Sequence, residues 1–327
     1  MRDSTISASI DTTAHRDPET IRTALQAWLK ARWPGVHLSG LSTPEGSGAS
    51  SELFLVDITD GPEGVTPGEQ SLVLRLSPAY PVYPHVDLES QARCMTLAPP
   101  LVPRVLAVET DTEVLGSAFL LMQLASGAKA PDLPSYVEKG WMRELTAGQQ
   151  RQQWWHAVDA IAGVHAASVD ASQVPGLQLP VPGDHALDRM LAYWEAFLAL
   201  VEQGGPQPAL ARAVSWLRGN RPDMPDDAAL VWGDASLRNM LFDGLAPSAL
   251  LDFEFAHVGL RDFDIAFFAV MDWLMAEGFA GGAPRLPGFA GVHETIDYYE
   301  RATGRSVSHR EYLLRMSLTY SSLATTR

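Results

Sequence analysis

The hydrophobic period of the chain changes about one third of the way along. In residues 71–77 a leucine occupies every second position, which is typical of a strand with one buried face, and other short apolar runs occur between residues 52 and 123. Beyond Ser126-Gly127 the apolar residues recur mostly at helical spacing. A β-rich first part followed by a mostly helical remainder predicts an α+β protein of two lobes, 17–124 and 125–327.

The first lobe is predicted to open with a helix. Asp17 is suited to cap its start, Pro18 to occupy its first turn, and Pro34-Gly35 to end it. Residues 1–16 are rich in Ser and Thr, lack a period and are expected to form a disordered tail. The pattern then predicts strands at 52–58, 71–77, 102–109 and 118–123, a short helix at 87–98, and a turn at Thr110-Asp111-Thr112.

The second lobe combines helices with a small group of strands. Helical spacing of apolar residues predicts helices around 154–165, 187–198 and 208–217, and two or three more at the end of the chain. Three short strand-like runs interrupt them at 229–232, 240–242 and 249–251, separated by polar loops.

Charge and composition exclude some classes of function. A formal net charge of −15 argues against nucleic acid as a partner, because phosphate backbones are bound by clustered Lys and Arg. The single cysteine, Cys94, rules out an intrachain disulfide and fits a reducing compartment. The first residues lack the apolar segment that a signal peptide requires, and the apolar stretch 265–275 is too short to cross a bilayer. We expect a cytoplasmic monomer or homodimer without a membrane partner.

Three polar residues stand where the short strands of the second lobe end or resume. Asp234 and Asn239 flank one loop, and Asp252 follows the next hairpin. Each alone suits a turn, because Asp and Asn cap turns readily. Together they meet the needs of phosphoryl transfer to a hydroxyl: one carboxylate orients the hydroxyl and accepts its proton, and hard oxygen ligands hold Mg²⁺ against the nucleotide phosphates.

This spacing resembles the catalytic core of the aminoglycoside phosphotransferase and choline kinase-like family, which has a protein-kinase-like two-lobe fold. The matching residues are Gly233-Asp234, Asn239, Asp252-Phe253-Glu254, Gly259 and Asp264. The resemblance implies that Asp234 is the catalytic base and that Asn239 and Asp252 bind Mg²⁺. It also implies that Asp264 braces the catalytic loop, with a core or bracing role for His165.

Two residues depart from the family pattern. Trp232 stands where His is usual, and because that His is mainly a structural brace, the change is not interpreted as loss of activity. Arg238 stands where Gly often precedes the Asn. It could reach a phosphate or an anionic substrate group, but the favoured interpretation is an ion pair with Asp262 or another local carboxylate.

The resemblance also assigns the nucleotide side of the site to the first lobe. Ser47 and Gly48 belong to a Gly- and Ser-rich segment that resembles a phosphate-covering loop, although without the motif of the second lobe the segment would be more typical of a flexible turn. Arg75 occupies the position of the strand cation that contacts phosphates, and Glu89 that of its acidic partner. Gln123 and Leu124 correspond to the backbone segment that binds adenine.

The sequence therefore predicts an Mg²⁺-dependent enzyme that transfers a phosphoryl group from ATP or GTP to a hydroxyl of a small metabolite or antibiotic. The alternative is a nucleotide-binding pseudokinase or regulatory scaffold, and a weaker one is an unrelated metal-dependent hydrolase, which would need further metal ligands. The acceptor site is expected in the variable helices, about 130–230 and 270–327. The acidic composition would suit a cationic acceptor, but general surface acidity is the preferred explanation.

Overall fold

The computed structural model describes residues 16–44, 52–61, 70–77, 83–85, 87–132 and 134–326. The predicted tail, apart from Arg16, and the predicted loop residues Ser47 and Gly48 lie outside the described residues. The chain divides into two compact units. The first comprises Met1–Val82 with Val105–Leu124, and the second Tyr83–Arg104 with Ala125–Arg327.

The first third of the chain supplies a sheet and a covering helix. Its elements are α1 (Pro18–Arg32), β1 (His37–Ser42), β2 (Glu52–Thr59), β3 (Gln70–Leu76), α2 (Leu88–Leu97), β4 (Val105–Glu109), α3 (Thr112–Leu115) and β5 (Phe119–Gln123). All except α2 belong to the first unit. Its strands form one antiparallel sheet in the order β1-β2-β3-β5-β4.

The core of the first unit lies between α1 and one face of this sheet. Ile21, Leu25 and Leu29 are spaced to face the sheet and are fully buried there. They pack against alternate strand residues, among them Leu72, Leu74 and Leu76. The Trp28 indole N–H donates to a carboxylate oxygen of Glu109 at 2.8 Å, which fixes α1 to β4.

The second unit is mostly helical and carries two small sheets. Its elements after α2 are β6 (Ala128–Lys129), α4 (Ala147–His165), α5 (Ala186–Val201), α6 (Pro208–Gly219), β7 (Ala228–Val231), β8 (Met240–Asp243), β9 (Ala246–Leu250), β10 (His257–Leu260), α7 (Arg261–Leu274), α8 (Val292–Thr303) and α9 (Arg310–Thr325). Strands β7 and β10 pair with each other, and β6, β8 and β9 form the second sheet. The loops that join these strands carry the three polar residues singled out above.

The predicted α+β class is confirmed, and so are the N-cap of α1, where Asp17 accepts the Thr20 N–H, and most strand positions. The strand predicted at 102–109 begins only at Val105, after Pro103, which has no N–H to donate to a sheet. The predicted turn at residues 110–112 continues into the short helix α3, capped by Asp111. Strand β10 was not predicted from the sequence, because its four residues do not alternate and its partner β7 is distant in sequence.

Within the described ranges, no helix combines the length and the apolar character that a membrane span requires.

The buried face of α1 should dominate the stability of the first unit. Leu25 is fully buried, so Leu25→Ala should lower the free energy of unfolding by about 3 kcal/mol through lost contacts and a residual cavity. Lys30→Ala, at an exposed position of the same helix, should change it by less than about 0.5 kcal/mol. Urea denaturation followed by tryptophan fluorescence would compare them. Equal effects of the two substitutions would contradict this packing.

Candidate active site

The loop between β7 and β8 holds Asp234 and Asn239 together. Residues Leu237–Asn239 form a single 3₁₀ turn, which brings the Asn239 side chain back towards the start of the loop. Its amide nitrogen donates to a carboxylate oxygen of Asp234 at 2.9 Å and to the Asp234 carbonyl at 3.1 Å. The orientation of the Asp234 carboxylate is therefore fixed by Asn239.

The β8–β9 hairpin returns the chain to the same place and sets Asp252 beside this loop. The Leu251 N–H donates to the Asn239 carbonyl at 2.8 Å. The indole N–H of Trp232 donates to the Leu251 carbonyl, also at 2.8 Å. Asp252 itself has a φ of 59°, a left-handed conformation that is uncommon for a residue with a side chain and often found at functional sites.

Gly233 is required by close backbone packing. Its φ is +87°, and a Cβ at this position would lie 2.4 Å from the Phe255 carbonyl oxygen. No side chain fits there without moving the segment that follows Asp252.

A buried carboxylate on α7 supports the loop from behind. Asp264, fully buried, accepts the backbone N–H of Trp232 at 2.6 Å and that of Gly233 at 2.8 Å. The ring Nε2 of His165 lies 3.1 Å from the same carboxylate, and its Nδ1 lies 2.8 Å from the Tyr299 hydroxyl. The bracing contacts expected of Asp264 and His165 are thus confirmed, and Tyr299 extends them to α8.

The electrostatic surroundings of Asp234 favour its acting as a base near neutral pH. Burial is the main cause that raises the pKa of Asp234 to about 6, and the negative charge of Asp252 adds to the shift. The positive charge of Arg238 and the hydrogen bond from Asn239 oppose it. A carboxylate with this pKa is ionised at neutral pH and is more basic than an exposed one.

The donor set beside Asp234 suits Mg²⁺. Because the amide nitrogen of Asn239 is directed at Asp234, its amide oxygen is available as a metal ligand. Asp252 supplies a carboxylate. A cation between them would also relieve the repulsion that Asp252 exerts on Asp234. The described residues contain no cluster of three or more His, Cys, Asp or Glu arranged for a metal, so water and nucleotide phosphates would complete the coordination.

Arg238 forms the ion pair favoured from the sequence, but with a different partner from the one named there. Its Nε lies 3.7 Å from a carboxylate oxygen of Asp132, whereas Asp262 lies beside Arg261. At 3.7 Å this contact is an ion pair without a hydrogen bond.

The residues predicted for nucleotide binding are distributed over both units. Arg75 is buried on β3, on the face opposite the α1 core, and Gln123 ends β5. The Leu124 N–H donates to the Ser71 carbonyl at 3.2 Å, and the Leu124 side chain is exposed. Glu89 lies at an exposed position in the first turn of α2, in the second unit. Its ion pair with Arg75 stays a prediction.

Sequence reasoning missed three supporting contacts of this site: Trp232 to Leu251, Asp132 to Arg238 and Tyr299 to His165. Each joins residues at least 19 positions apart in the chain. No local pattern indicates such pairs, although an indole at the end of a buried strand does call for a polar partner.

Comparison with known proteins gives relatives that are longer than this chain. The probable acyl-CoA dehydrogenase IBR3 of Arabidopsis thaliana is 29% identical over 243 residues, which are 68% of this chain and 27% of that protein. The human acyl-CoA dehydrogenase family member 11 is 23% identical over 316 residues, 92% of this chain and 38% of that protein. The chain thus spans well under half the length of these relatives.

Solved structures share the fold. A Ralstonia eutropha protein assigned to the aminoglycoside phosphotransferases superposes with a TM-score of 0.66 at 23% identity, covering 93% of this chain and 87% of that one. Macrolide 2'-phosphotransferase type I superposes with a TM-score of 0.58 at 18% identity, covering 92% of this chain and 88% of that one. A variant of aminoglycoside phosphotransferase APH(4)-Ia, in complex with ADP and hygromycin B, superposes with a TM-score of 0.54 at 17% identity. The match covers 92% of this chain and 91% of that one.

A family model matches most of the chain. The model of the phosphotransferase enzyme family matches residues 43–302, which include the whole loop from Trp232 to Asn239, Asp252 and Asp264. The resemblance drawn from the sequence, the kinase-like fold and the enzyme class are confirmed at the level of the family. The chain is a member of the phosphotransferase enzyme family.

Proposed function

We propose that this protein transfers the γ-phosphoryl group of ATP or GTP to a hydroxyl of a small molecule, with Asp234 as the catalytic base and Mg²⁺ held by Asn239 and Asp252. The observation that carries the proposal is that hydrogen bonds bring these three residues together. Asn239 bonds Asp234 through its side chain and Leu251, next to Asp252, through its backbone.

The role of Asp234 follows from its orientation and its pKa. The hydrogen bond from Asn239 holds one carboxylate oxygen, so the other can accept a proton from an incoming hydroxyl. A pKa of about 6 keeps the group ionised at neutral pH. The proton moves to Asp234 as the hydroxyl oxygen attacks the γ-phosphorus and the bond to the leaving nucleoside diphosphate breaks.

Asn239 and Asp252 would hold the metal ion against the nucleotide. Mg²⁺ supplies charge stabilisation of the phosphates when it is bound. The left-handed backbone of Asp252 and the two hydrogen bonds that reach Leu251 keep its carboxylate beside the loop. We assign the nucleotide contacts to Arg75, Glu89, Gln123 and Leu124, and to Ser47 and Gly48, as the sequence predicts.

The acceptor is a hydroxyl compound, and the names of the relatives suggest where to look. Aminoglycosides, macrolides, ethanolamine and hydroxylated acyl-CoA esters form a first panel. The alternative of a pseudokinase makes a different prediction: Mg-ATP would raise the melting temperature, but no acceptor in a broad panel would be phosphorylated.

Loss of the base should remove turnover. Asp234→Ala should lower kcat by about 10²–10⁴-fold, the usual contribution of a general base. Asp243→Ala, at an exposed position of β8, should leave kcat within about twofold. The measurement is acceptor-dependent release of ADP. Near wild-type turnover by Asp234→Ala, with acceptor-linked phosphate as product, would refute the assignment.

Loss of the carboxylate at the metal site should change the dependence on Mg²⁺. Asp252→Asn keeps an oxygen ligand but removes its charge, so the Mg²⁺ concentration for half-maximal activity should rise at least about tenfold. A titration of Mg²⁺ at fixed nucleotide measures the shift. An unchanged titration curve with unchanged kcat would rule out Asp252 as a ligand.

Removal of the brace should affect both stability and turnover. Asp264→Ala leaves the N–H groups of Trp232 and Gly233 without their acceptor, which should cost about 2–4 kcal/mol of unfolding free energy and lower kcat. Asp262→Asn is the matched control on the same turn of α7. Burial raises the pKa of Asp262 to about 6, so at pH 7.5 the carboxylate is ionised at a cost to the folded state. Asp262→Asn removes this charge and should not destabilise the fold.

The two variants separate bracing from general packing. Denaturation in urea and the kcat of each folded variant are both measured at pH 7.5. If Asp264→Ala matched Asp262→Asn in stability and in kcat, the loop would not depend on the brace.

A further inference from the structure

A cavity of about 570 Å³ lies within the second unit, beside the segment that follows Asp252. One wall is formed by Glu254 and the three residues after it, and another by the first turn of α2. The Phe255 carbonyl on this wall packs directly against Gly233, the neighbour of Asp234. Phe255 therefore belongs both to the cavity wall and to the contact with the catalytic loop, and the volume of the cavity suits an organic molecule.

The cavity contains a buried arginine for which the described residues supply no acidic partner. Arg189 on α5 is only 8% exposed, and its guanidinium donates to the Gly183 carbonyl at 2.6 Å. Among the residues that the structure describes, no Asp or Glu oxygen lies within 4.0 Å of it. Arginine is rarely buried without a paired anion, because removing its charge from water is costly.

The acidic groups of the cavity do not supply the missing partner. The Asp87 carboxylate caps α2, accepting the Glu89 N–H at 3.0 Å and the Ser90 hydroxyl at 2.6 Å. Glu254 lies more than 4.0 Å from the guanidinium. Burial lowers the pKa of His257, so Arg189 is the buried cation of this cavity at neutral pH.

A second polar group of the wall also lacks a partner. Gln91 on α2 is 3% exposed, and its side-chain oxygen has no hydrogen-bond partner in the described part of the chain. A buried amide oxygen left unbonded is unfavourable, and a ligand hydroxyl or N–H would satisfy it. The cavity thus offers one cationic donor and one neutral acceptor.

We propose that this cavity holds the acceptor and that Arg189 binds an anionic group on it. The acceptor is then a hydroxylated organic anion, with a carboxylate matched to the planar guanidinium and a polar group near Gln91. This rests on the proposed phosphotransfer. The acceptor hydroxyl forms the new bond to the γ-phosphorus, its proton passes to Asp234, and the bond to the nucleoside diphosphate breaks.

The local charge thereby selects an acceptor that the overall charge of −15 would not suggest. Overall charge acts on approach through solvent, where salt screens it, whereas a buried guanidinium acts at contact distance.

Matched pairs of acceptors test the preference. Terminal hydroxy carboxylates of four to eight carbons are compared with diols of the same length, which lack only the anion. The ratio of kcat/KM, acid over diol, should be at least about tenfold in the wild type and should fall towards one in Arg189→Gln. Glycerol 3-phosphate, as a further arm, shows whether a phosphate can replace the carboxylate.

Two further variants control for charge and for folding. Arg212→Gln, at an exposed position on α6, removes the same charge outside the cavity and should keep the wild-type ratio. Arg189→Lys should restore part of the preference, because it keeps the cation. An unchanged ratio in Arg189→Gln, or a wild type that prefers the diols, would overturn the proposal.

Stability separates anion recognition from a structural role. An arginine kept only to hold the Gly183 carbonyl would lower Tm when replaced and would leave the ratio unchanged. Arg189→Met removes an unpaired buried charge and should keep Tm within about 2 °C of the wild type or raise it.

Binding without turnover distinguishes this inference from the proposed function. Calorimetric titration of Asp234→Ala with 6-hydroxyhexanoate and with 1,6-hexanediol, in the presence of Mg-ADP, measures the cavity alone. Tighter binding of the acid, lost in the Asp234→Ala, Arg189→Gln double variant, would support the anion site even if no phosphate transfer occurred. Equal binding of the two compounds would reject it.

Discussion

The Asp264 carboxylate is the contact on which the arrangement of the candidate active site depends. It accepts two successive backbone N–H groups, from Trp232 and Gly233, at the point where β7 ends. Those groups are buried and would otherwise be unsatisfied, so the carboxylate stabilises the conformation in which the loop leaves the strand. Because α7 follows directly after β10, the strand that pairs with β7, the brace and the loop are built from the same small sheet.

From this point a series of hydrogen bonds fixes the remaining groups. The Trp232 indole donates to the Leu251 carbonyl, and the Leu251 N–H donates to the Asn239 carbonyl. The Asn239 side chain in turn donates to the Asp234 carboxylate. The loop therefore closes on itself, and Asp252 is set beside it by backbone contacts. Such preorganisation matters for phosphoryl transfer, in which the protein acts mainly by positioning and by stabilising charge.

The sequence predicts the parts of this site that lie close together in the chain. Two of these parts are local: the spacing from Asp234 to Asn239 and the hairpin before Asp252. Turn-forming residues and short strand patterns in the sequence predict both. Helix α1 is equally local, with its cap at Asp17 and its apolar stripe. The contacts of Trp232, Arg238 and Tyr299 depend on chain segments that meet only in the folded protein. Arg189 has no acidic partner among the described residues, and this depends on the surroundings of α5, because the adjacent carboxylate of Asp188 pairs with Arg221 instead.

In the proposed mechanism Asn239 and Asp252 bind one divalent cation on the nucleotide while Asp234 stays open to a hydroxyl. A crystal structure with Mg²⁺ and a non-hydrolysable ATP analogue would show this arrangement. We expect a metal ion about 2.1 Å from oxygens of both Asn239 and Asp252, in contact with the phosphates. A metal bound through other residues, or an Asp234 carboxylate ligated to it and closed to solvent, would refute the proposed mechanism.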